Sequence, residues 1–366
     1  MNRIILIGNG FDLAHGLETS YTHFIDWFWK KEIEKIEWLR RQDNRFNYVN
    51  GDYFELRGAY ESDIRFLKTA KIKNFKTLKQ LNHIQISFKN FFLGQISEQS
   101  LINWVDIENE YYKLLVFYSN NDYFTKIETL NKELEQIRTE LTNYLETQKN
   151  ENIIKDYEKI MFGAFDPKDF TYEEAINSIK ELFLKSMEQT FPNTTLFLNF
   201  NYTNTFEYCL RFDKSVKLID KVCIHGSLSN LENPVIFGYG DEIDDDYKML
   251  ERKSVGKNFV LENMKSVNYS KTNNYNRVLN FMNSDLFQII ILGHSCGNSD
   301  RTLLNKLFEH KNCVSIKPYY YIDENGKSDY TDKYINISRN FNNKNLLRER
   351  VVNERSCDPL PQIKKP

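Results

Sequence analysis

Glycines and polar residues follow four short apolar segments of this 366-residue chain, and together these residue types could bind and cleave a nucleotide. They lie at residues 8–12 (GNGFD), 199–204 (NFNYTN), 225–227 (HGS) and 293–300 (GHSCGNSD). If the apolar segments are parallel strands, their carboxyl ends meet at one edge of a sheet, where open α/β sheets bind ligands. The sequence therefore predicts one site built from all four stretches.

His225 and Asn201 are the candidate catalytic residues. A histidine exchanges protons near neutral pH, and His225 ends an apolar segment just before a glycine. Asn201 follows another apolar segment, where its amide could orient a ribose hydroxyl or a water. The ordinary alternatives are a histidine bonded to a backbone carbonyl and a helix-capping asparagine, a role that Asn204 fits equally well. The same alternative applies to His294 and His15.

The first stretch could form a phosphate-binding turn. Gly8 and Gly10 allow a close backbone approach, and a helix starting near Asp12 would direct N–H donors at an anion. This GxG pattern lacks the third glycine of the Rossmann spacing, so an ordinary strand–helix turn explains it equally well.

Charged segments give secondary candidates. The segment 104–112 (WVDIENEYY) places Asp106 and Glu108 on a predicted helix, either as partners of a ribose hydroxyl or as a solvated helix edge. Asp300 closes the fourth stretch. The acidic run 241–246 could bind a divalent cation or form a solvated loop. The range 65–89 has seven basic residues and no acidic one, which suits nucleic acid, a partner or a solvated face.

The elements that must position these residues follow an α/β pattern. Strands are predicted at 4–7, 195–200, 216–224, 235–237, 287–292 and 313–316, with helices starting near 12, 204 and 302. Strands that alternate with helices predict a Rossmann-like, doubly wound parallel sheet. The spacing of apolar residues in 130–145 and 176–187 is helical. Asn325-Gly326 predicts a hairpin over 319–337.

Three regions are therefore predicted. Residues 1–24 and 192–350 form a discontinuous nucleotide-binding domain, 25–191 a large helical insertion, and 351–366 a flexible tail. The helical insertion is the expected docking surface for a trigger or a second copy of the chain.

Composition excludes several classes of protein. Hydrophobic residues make up 41% of the chain, with 27 Phe and 22 Tyr, which excludes low-complexity disorder. The net charge of −2 argues against a basic nucleic-acid binder. No run reaches the ~18 apolar residues of a membrane span, and the first residues do not resemble a signal peptide. Five widely spaced cysteines without a CxxC pair predict no structural zinc and a cytoplasmic protein.

Six segments resemble the AbiH family of bacterial abortive-infection proteins. In chain order they are ILIGNGFDLAHGLETSYTHF, WVDIENEYY, LNFNYTNTFE, IHGS, FGYGDE and ILGHSCGNSD. The resemblance spans nearly the whole chain and implies defence against bacteriophage.

The order of glycine turn, strand–Asn, strand–His-Gly and strand–Gly-x-Ser is more distantly similar to the sirtuin-like NAD-binding fold. This similarity implies that His225 is catalytic and that Asn201 contacts the nicotinamide ribose, with Thr203 where sirtuins hold an aspartate. It implies NAD contacts from Gly8, Asn9, Gly10, Phe11, Asp12, Thr203, Gly293, His294 and Ser295. The zinc cysteines and the first-loop arginine of the deacetylases are missing, so hydrolysis of NAD fits better than deacetylation.

The expected function is thus anti-phage defence by cleavage of the N-glycosidic bond of NAD or a related nucleotide. One alternative is a non-catalytic nucleotide-binding sensor. Another is a nuclease acting through Asp106, Glu108 and the acidic run. A phage-derived trigger or a second copy is the expected partner, and no membrane partner is expected.

Overall fold

The computed structural model describes residues 1–42, 45, 47–102, 106–149, 152, 154–170, 190–210, 219–228 and 230–363. The chain divides into two compact units. Unit 1 comprises Met1–Leu17, Lys149–Met249 and Glu262–Pro366, and unit 2 comprises Glu18–Gln148 and Leu250–Leu261. No helix within the described ranges is long and apolar enough to cross a membrane.

The strands and helices have the following bounds. The strands are β1 (Asn2–Ile7), β2 (Tyr48–Asn50), β3 (Phe54–Arg57), β4 (Gln85–Phe88), β5 (Thr195–Asn199), β6 (Ile219–Cys223), β7 (Phe287–Leu292) and β8 (Cys313–Pro318). The helices are α1 (Asn9–Ala14), α2 (Tyr21–Gln42), α3 (Glu61–Thr69), α4 (Phe75–Lys79), α5 (Phe91–Ser100), α6 (Ile107–Asn120), α7 (Phe124–Thr147), α8 (Asp156–Phe162), α9 (Thr205–Leu210), α10 (Asp245–Lys253), α11 (Lys265–Tyr269), α12 (Asn274–Ser284), α13 (Arg301–Phe308), α14 (Tyr330–Arg339) and α15 (Lys344–Arg350).

Unit 1 is built on a five-stranded parallel sheet with the order β6-β5-β1-β7-β8. Strands β1, β5 and β7 are buried along their whole length, as expected for apolar runs covered on both faces. Strand β1 lies between β5 and β7, where Ile4 pairs with Leu196 on one side and Ile289 on the other. The predicted parallel α/β sheet is therefore confirmed.

Alternate residues of these strands enter two apolar cores, one on each face of the sheet. Ile4 and Leu6 of β1 belong to one core, whereas Ile5 and Ile7 belong to the other. Residues 154–162 contribute to the second core, chiefly through the buried Tyr157 of α8. This packing explains why residues 149–170 group with unit 1, although the sequence analysis assigned them to the insertion.

Unit 2 combines long helices with a small antiparallel sheet of order β2-β3-β4. Helix α7 confirms the predicted amphipathic helix over 130–145, and its apolar stripe is buried. The sequence predicted a helical insertion with little strand signal, and the structure adds short strands at 48–50, 54–57 and 85–88. These strands are three or four residues long, too short for a clear alternation of polar and apolar residues. The predicted helix over 176–187 lies outside the described residues.

Three local predictions in unit 1 need correction. Residues 235–237 form no regular strand, although Ile236 N–H donates to the His225 carbonyl at 2.8 Å. The predicted hairpin is reduced to a bridge between Ile322 and Ser328, because helix α14 takes up the rest of its second arm. The predicted flexible tail is packed up to residue 363. Leu360 is buried, and Ile363 N–H donates to a carbonyl of α1 at 3.0 Å.

Candidate active site

The four predicted stretches meet at the carboxyl edge of the parallel sheet. Gly10 N–H donates to the Gly293 carbonyl at 2.8 Å, which joins the loops after β1 and β7. Asn201 Nδ2 donates to the Gly8 carbonyl at 3.0 Å, which adds the loop after β5. The His225 ring, after β6, places Nδ1 3.1 Å from the Phe200 carbonyl. Residues about 290 positions apart in the chain thus share one edge.

The loops after β1 and β7 approach each other so closely that both need glycines at the contact. A Cβ atom on Gly8 would lie 2.4 Å from the Cα atom of His294. Gly293 has φ +70°, and a Cβ atom there would lie 2.0 Å from the Phe11 nitrogen. The N–H groups of Gly10 and Phe11 donate to carbonyls of Gly293 and Gly8, so these two donors are already used within the protein. The glycines therefore serve the packing of the two loops.

Asp12 lies on α1 behind this turn and is only 1% exposed. Its Oδ2 accepts a hydrogen bond from the Thr203 hydroxyl, whereas its Oδ1 is buried without a hydrogen-bond partner. Burial raises the pKa of Asp12 to about 6, and the side chains of Thr203, Thr205 and Asn201 oppose that rise. Asn199 shapes the neighbouring loop, because its side chain accepts from Asn201 N–H at 3.1 Å and donates to the Asn201 carbonyl at 3.0 Å.

A second buried cluster is centred on the Asp300 carboxylate. Its Oδ1 lies 2.9 Å from His225 Nε2 and 2.9 Å from Lys265 Nζ. Its Oδ2 lies 3.5 Å from His294 Nε2. All four residues are at least 90% buried. The Tyr269 hydroxyl completes the surroundings of His225, 3.4 Å from Nε2.

The two ring nitrogens of His225 both face acceptors. Nδ1 faces the Phe200 carbonyl and Nε2 faces the Asp300 carboxylate, so only the doubly protonated ring satisfies both. Burial lowers the pKa of His225, and the nearby Lys265 lowers it further, while Asp300 raises it. Burial also raises the pKa of Asp300, but Lys265 and His225 together outweigh this and hold it well below its usual range. Asp300 therefore favours the charged form of His225, whereas burial and Lys265 disfavour it.

The loop that carries His294 is held by one face of α14 and its C-cap. Lys333, Asn336 and Asn340 donate to the carbonyls of residues 294, 295 and 296, at 3.5, 3.2 and 2.8 Å respectively. Cys296 N–H donates to His294 Nδ1 at 2.9 Å, which assigns the ring proton of a neutral His294 to Nε2. That proton then points to Asp300.

Lys265 and Tyr269 were not predicted as site residues. Lys265 is fully buried, yet the surrounding NMKSVN segment reads as an ordinary polar surface and gives no signal of burial. Its role depends on a contact with a residue 35 positions later. Asp300, predicted only as a secondary candidate, is the centre of the cluster.

The remaining predicted residues have other positions. Ser295 and Asn9 are exposed at the edge. Asp106 and Glu108 belong to unit 2, where Asp106 caps α6 by accepting from Asn109 N–H at 3.1 Å. The site described above is built from unit 1 alone.

Some residues of the two charged segments form ion pairs within the protein. In the acidic run, Asp241 pairs with Arg301 at 3.1 Å. In the basic stretch, Lys68, Lys73 and Lys79 pair with glutamates at 2.9, 3.5 and 2.9 Å. Over the part of the chain that the structure describes, no group of three or more His, Cys, Asp or Glu residues is arranged to hold a metal ion.

Comparison with known proteins identifies a family. The model of the family described as bacteriophage abortive infection AbiH matches residues 4–321. No curated protein and no solved structure shows significant similarity to the chain. The match covers the strands and loops that build the site, from β1 to the end of β8.

Proposed function

Because the chain belongs to the bacteriophage abortive infection AbiH family, we propose that it acts in this defence by cleaving the N-glycosidic bond of NAD or a related nucleotide. The observation that carries the proposal is the meeting of four loops at the carboxyl edge of a parallel sheet, with a buried His225–Asp300 pair between them. This edge is where sheets of this class bind nucleotides. Histidine and carboxylate together supply a site for proton transfer.

The proposed reaction needs little covalent help from the protein. The bond between C1′ and the nicotinamide nitrogen breaks, and its electron pair leaves with nicotinamide. A water oxygen bonds to C1′, and the proton lost from that water passes to His225. The products are ADP-ribose, nicotinamide and one proton, so the protein has to fix the ribose, exclude bulk water and position one water molecule.

Asn201 and His225 have distinct roles in this proposal. Since Asn201 Nδ2 is committed to the Gly8 carbonyl, Oδ1 is the atom that orients the water or a ribose hydroxyl. His225 is 3% exposed, and Nε2 is in contact with Asp300. Catalysis therefore requires the bound nucleotide to displace this contact and Nε2 to release its proton to solvent, after which the neutral ring accepts the proton from the attacking water at Nε2. Lys265 keeps Asp300 ionised throughout.

The test is release of nicotinamide from NAD by the purified full chain, with and without a phage lysate as the trigger. Replacing His225 by Gln should lower the rate about 10²–10⁴-fold, the usual effect of losing a positioned acid–base group. His83→Gln is the matched control, because His83 is exposed and belongs to unit 2. If His225→Gln retains the activity, the assigned base is wrong.

One observation favours a second candidate, a nucleotide sensor without catalysis. Both ring nitrogens of His225 are already occupied by protein acceptors, which is the arrangement of a structural histidine. A sensor would bind NAD or ADP-ribose and release no nicotinamide, with or without the lysate. It would also retain binding after His225→Gln, provided that the fold is intact.

A further inference from the structure

We propose that Asp12 recognises a positively charged group of the ligand, which in NAD is the pyridinium ring with its carboxamide. This inference rests on the proposed function and names which part of the nucleotide lies at the first turn. It departs from the sequence-based expectation that residues 8–12 hold the phosphates.

Asp12 is the exception among the buried aspartates of the described chain. The other four each pair with a basic side chain: Asp63 with His83 at 2.9 Å, Asp169 with Lys317 at 2.9 Å, Asp241 with Arg301 at 3.1 Å and Asp300 with Lys265 at 2.9 Å. Among the described residues no basic side chain forms an ion pair with Asp12. A buried carboxylate without a cation is costly, so a ligand that brings a positive charge is favoured there.

The unpartnered oxygen of Asp12 indicates the same kind of ligand. Oδ2 accepts a hydrogen bond from the Thr203 hydroxyl, whereas Oδ1 is buried and makes no hydrogen bond of ordinary length, although the side chains of Thr205 and Asn201 lie near enough to favour the ionised carboxyl. A ligand N–H beside a positive charge would satisfy both the missing hydrogen bond and the missing charge. The carboxamide of a pyridinium ring supplies this combination, whereas a phosphate supplies neither.

Phosphate is also disfavoured by the surrounding backbone. The N–H groups of Gly10 and Phe11 donate to protein carbonyls, so neither is free for an anion. A phosphate beside Asp12 would meet a buried charge of the same sign. The diphosphate of the nucleotide therefore lies away from Asp12, and the pyridinium ring, the positively charged group of oxidised NAD, lies next to it.

Binding measurements on the full chain test this inference with three probes. Carba-NAD keeps the pyridinium charge but resists cleavage of the glycosidic bond. NADH keeps the carboxamide without the charge, and ADP-ribose lacks the ring. The wild type should bind carba-NAD about 10- to 100-fold more tightly than NADH, the range expected of a charge-assisted contact.

Two variants separate the charge of Asp12 from its structural contact. Asp12→Asn keeps the size of the side chain and removes the charge, and it should bring the ratio of the two affinities close to one. Thr203→Val is the matched control when binding is measured at alkaline pH, because it removes the hydrogen bond to Asp12 while the carboxyl stays ionised there, and it should keep the preference.

The outcomes distinguish the inference from the proposed function. Equal affinities of the wild type for carba-NAD and NADH would overturn the inference while leaving a nucleotide site in place, and this comparison needs no variant. A preference that persists in Asp12→Asn would also overturn it. If none of the three probes binds, the proposed function fails and the inference fails with it.

Discussion

His225 Nε2 and Lys265 Nζ both lie 2.9 Å from the same oxygen, Oδ1 of Asp300. Two basic groups thus share one carboxylate oxygen in a cluster that is more than 90% buried. These ion pairs link three segments of unit 1: the loop after β6, helix α11 and the loop after β7. The stability of this edge of the sheet and the protonation of His225 therefore depend on Lys265, which is distant in the sequence from both His225 and Asp300.

Replacing Lys265 by Met should destabilise the protein by about 3–5 kcal/mol, because it leaves Asp300 as a buried charge with weaker compensation. The measurement is the free energy of unfolding from denaturant titration at neutral pH. Combining Lys265→Met with Asp300→Asn should recover part of the loss, since the unpaired charge is removed.

The control for this prediction is Lys248→Met. Lys248 also pairs with an aspartate, at 2.7 Å from Asp245, but the two side chains are 53% and 94% exposed. Water screens this pair, so the free energy of unfolding should stay nearly unchanged. Similar losses in Lys248→Met and Lys265→Met would contradict the role assigned to burial.

The pH profile of the proposed NAD cleavage should respond to Lys265 as well. A base must be neutral to act, and burial together with Lys265 lowers the pKa of His225. The acid limb of kcat/KM should therefore lie below the ordinary titration range of a histidine. Lys265→Met should move this limb to higher pH, since a nearby positive charge is removed. A limb that does not move would show that His225 is not the group that titrates.

The sequence predicted the edge of the sheet better than the chemistry within it. Segment 4–7 is an uninterrupted apolar run and 287–292 is apolar except for Gln288; each is followed by glycine, and such runs fit a buried parallel strand and little else. Once these strands are parallel, the convergence of 8–12, 199–204, 225–227 and 293–300 follows from topology. The meeting of Gly10 with Gly293 is a consequence of that placement.

The contacts within the site depend on tertiary packing that local patterns do not encode. Lys265 looks like a surface residue in sequence, and only the fold buries it against Asp300. The prolines of the C-terminal tail exclude a helix but give no hint that Leu360 packs in a core of unit 1. The short strand β4 has too few residues to show a period of two.

Gly293→Ala should be far more destabilising than Gly326→Ala. Both glycines have φ between +70° and +79°, so each alanine carries the cost of a left-handed backbone, about 1–2 kcal/mol. At Gly326 a Cβ atom meets nothing within 4 Å, whereas at Gly293 it would lie 2.0 Å from the Phe11 nitrogen. We expect about 1–3 kcal/mol more for Gly293→Ala in denaturant titration. Equal effects would mean that the loops after β1 and β7 are not in contact.

The free energy of unfolding of the wild type should fall as the pH rises from acid to neutral, because Asp12 ionises in a buried site. That of Asp12→Asn should not show this fall. Burial raises its pKa from 3.8 to about 6, so the folded state binds the proton more tightly than the unfolded state. The resulting stabilisation is present in full below pH 4 and is lost as the pH rises through 6, a change of about 3 kcal/mol. The free energy of unfolding of wild type and Asp12→Asn, measured from pH 4 to 8, should therefore diverge in favour of the variant.

The Thr203 hydroxyl provides an internal check on that divergence. Its hydrogen bond stabilises the ionised form of Asp12, so Thr203→Val should raise the pKa further and move the loss of stability to higher pH. Curves for wild type and Asp12→Asn that stay parallel from pH 4 to 8 would show that Asp12 is not an unpaired buried carboxylate. The argument for a cationic ligand at this position would then lose its physical basis, because a compensated carboxylate has no need of a charge from outside the protein.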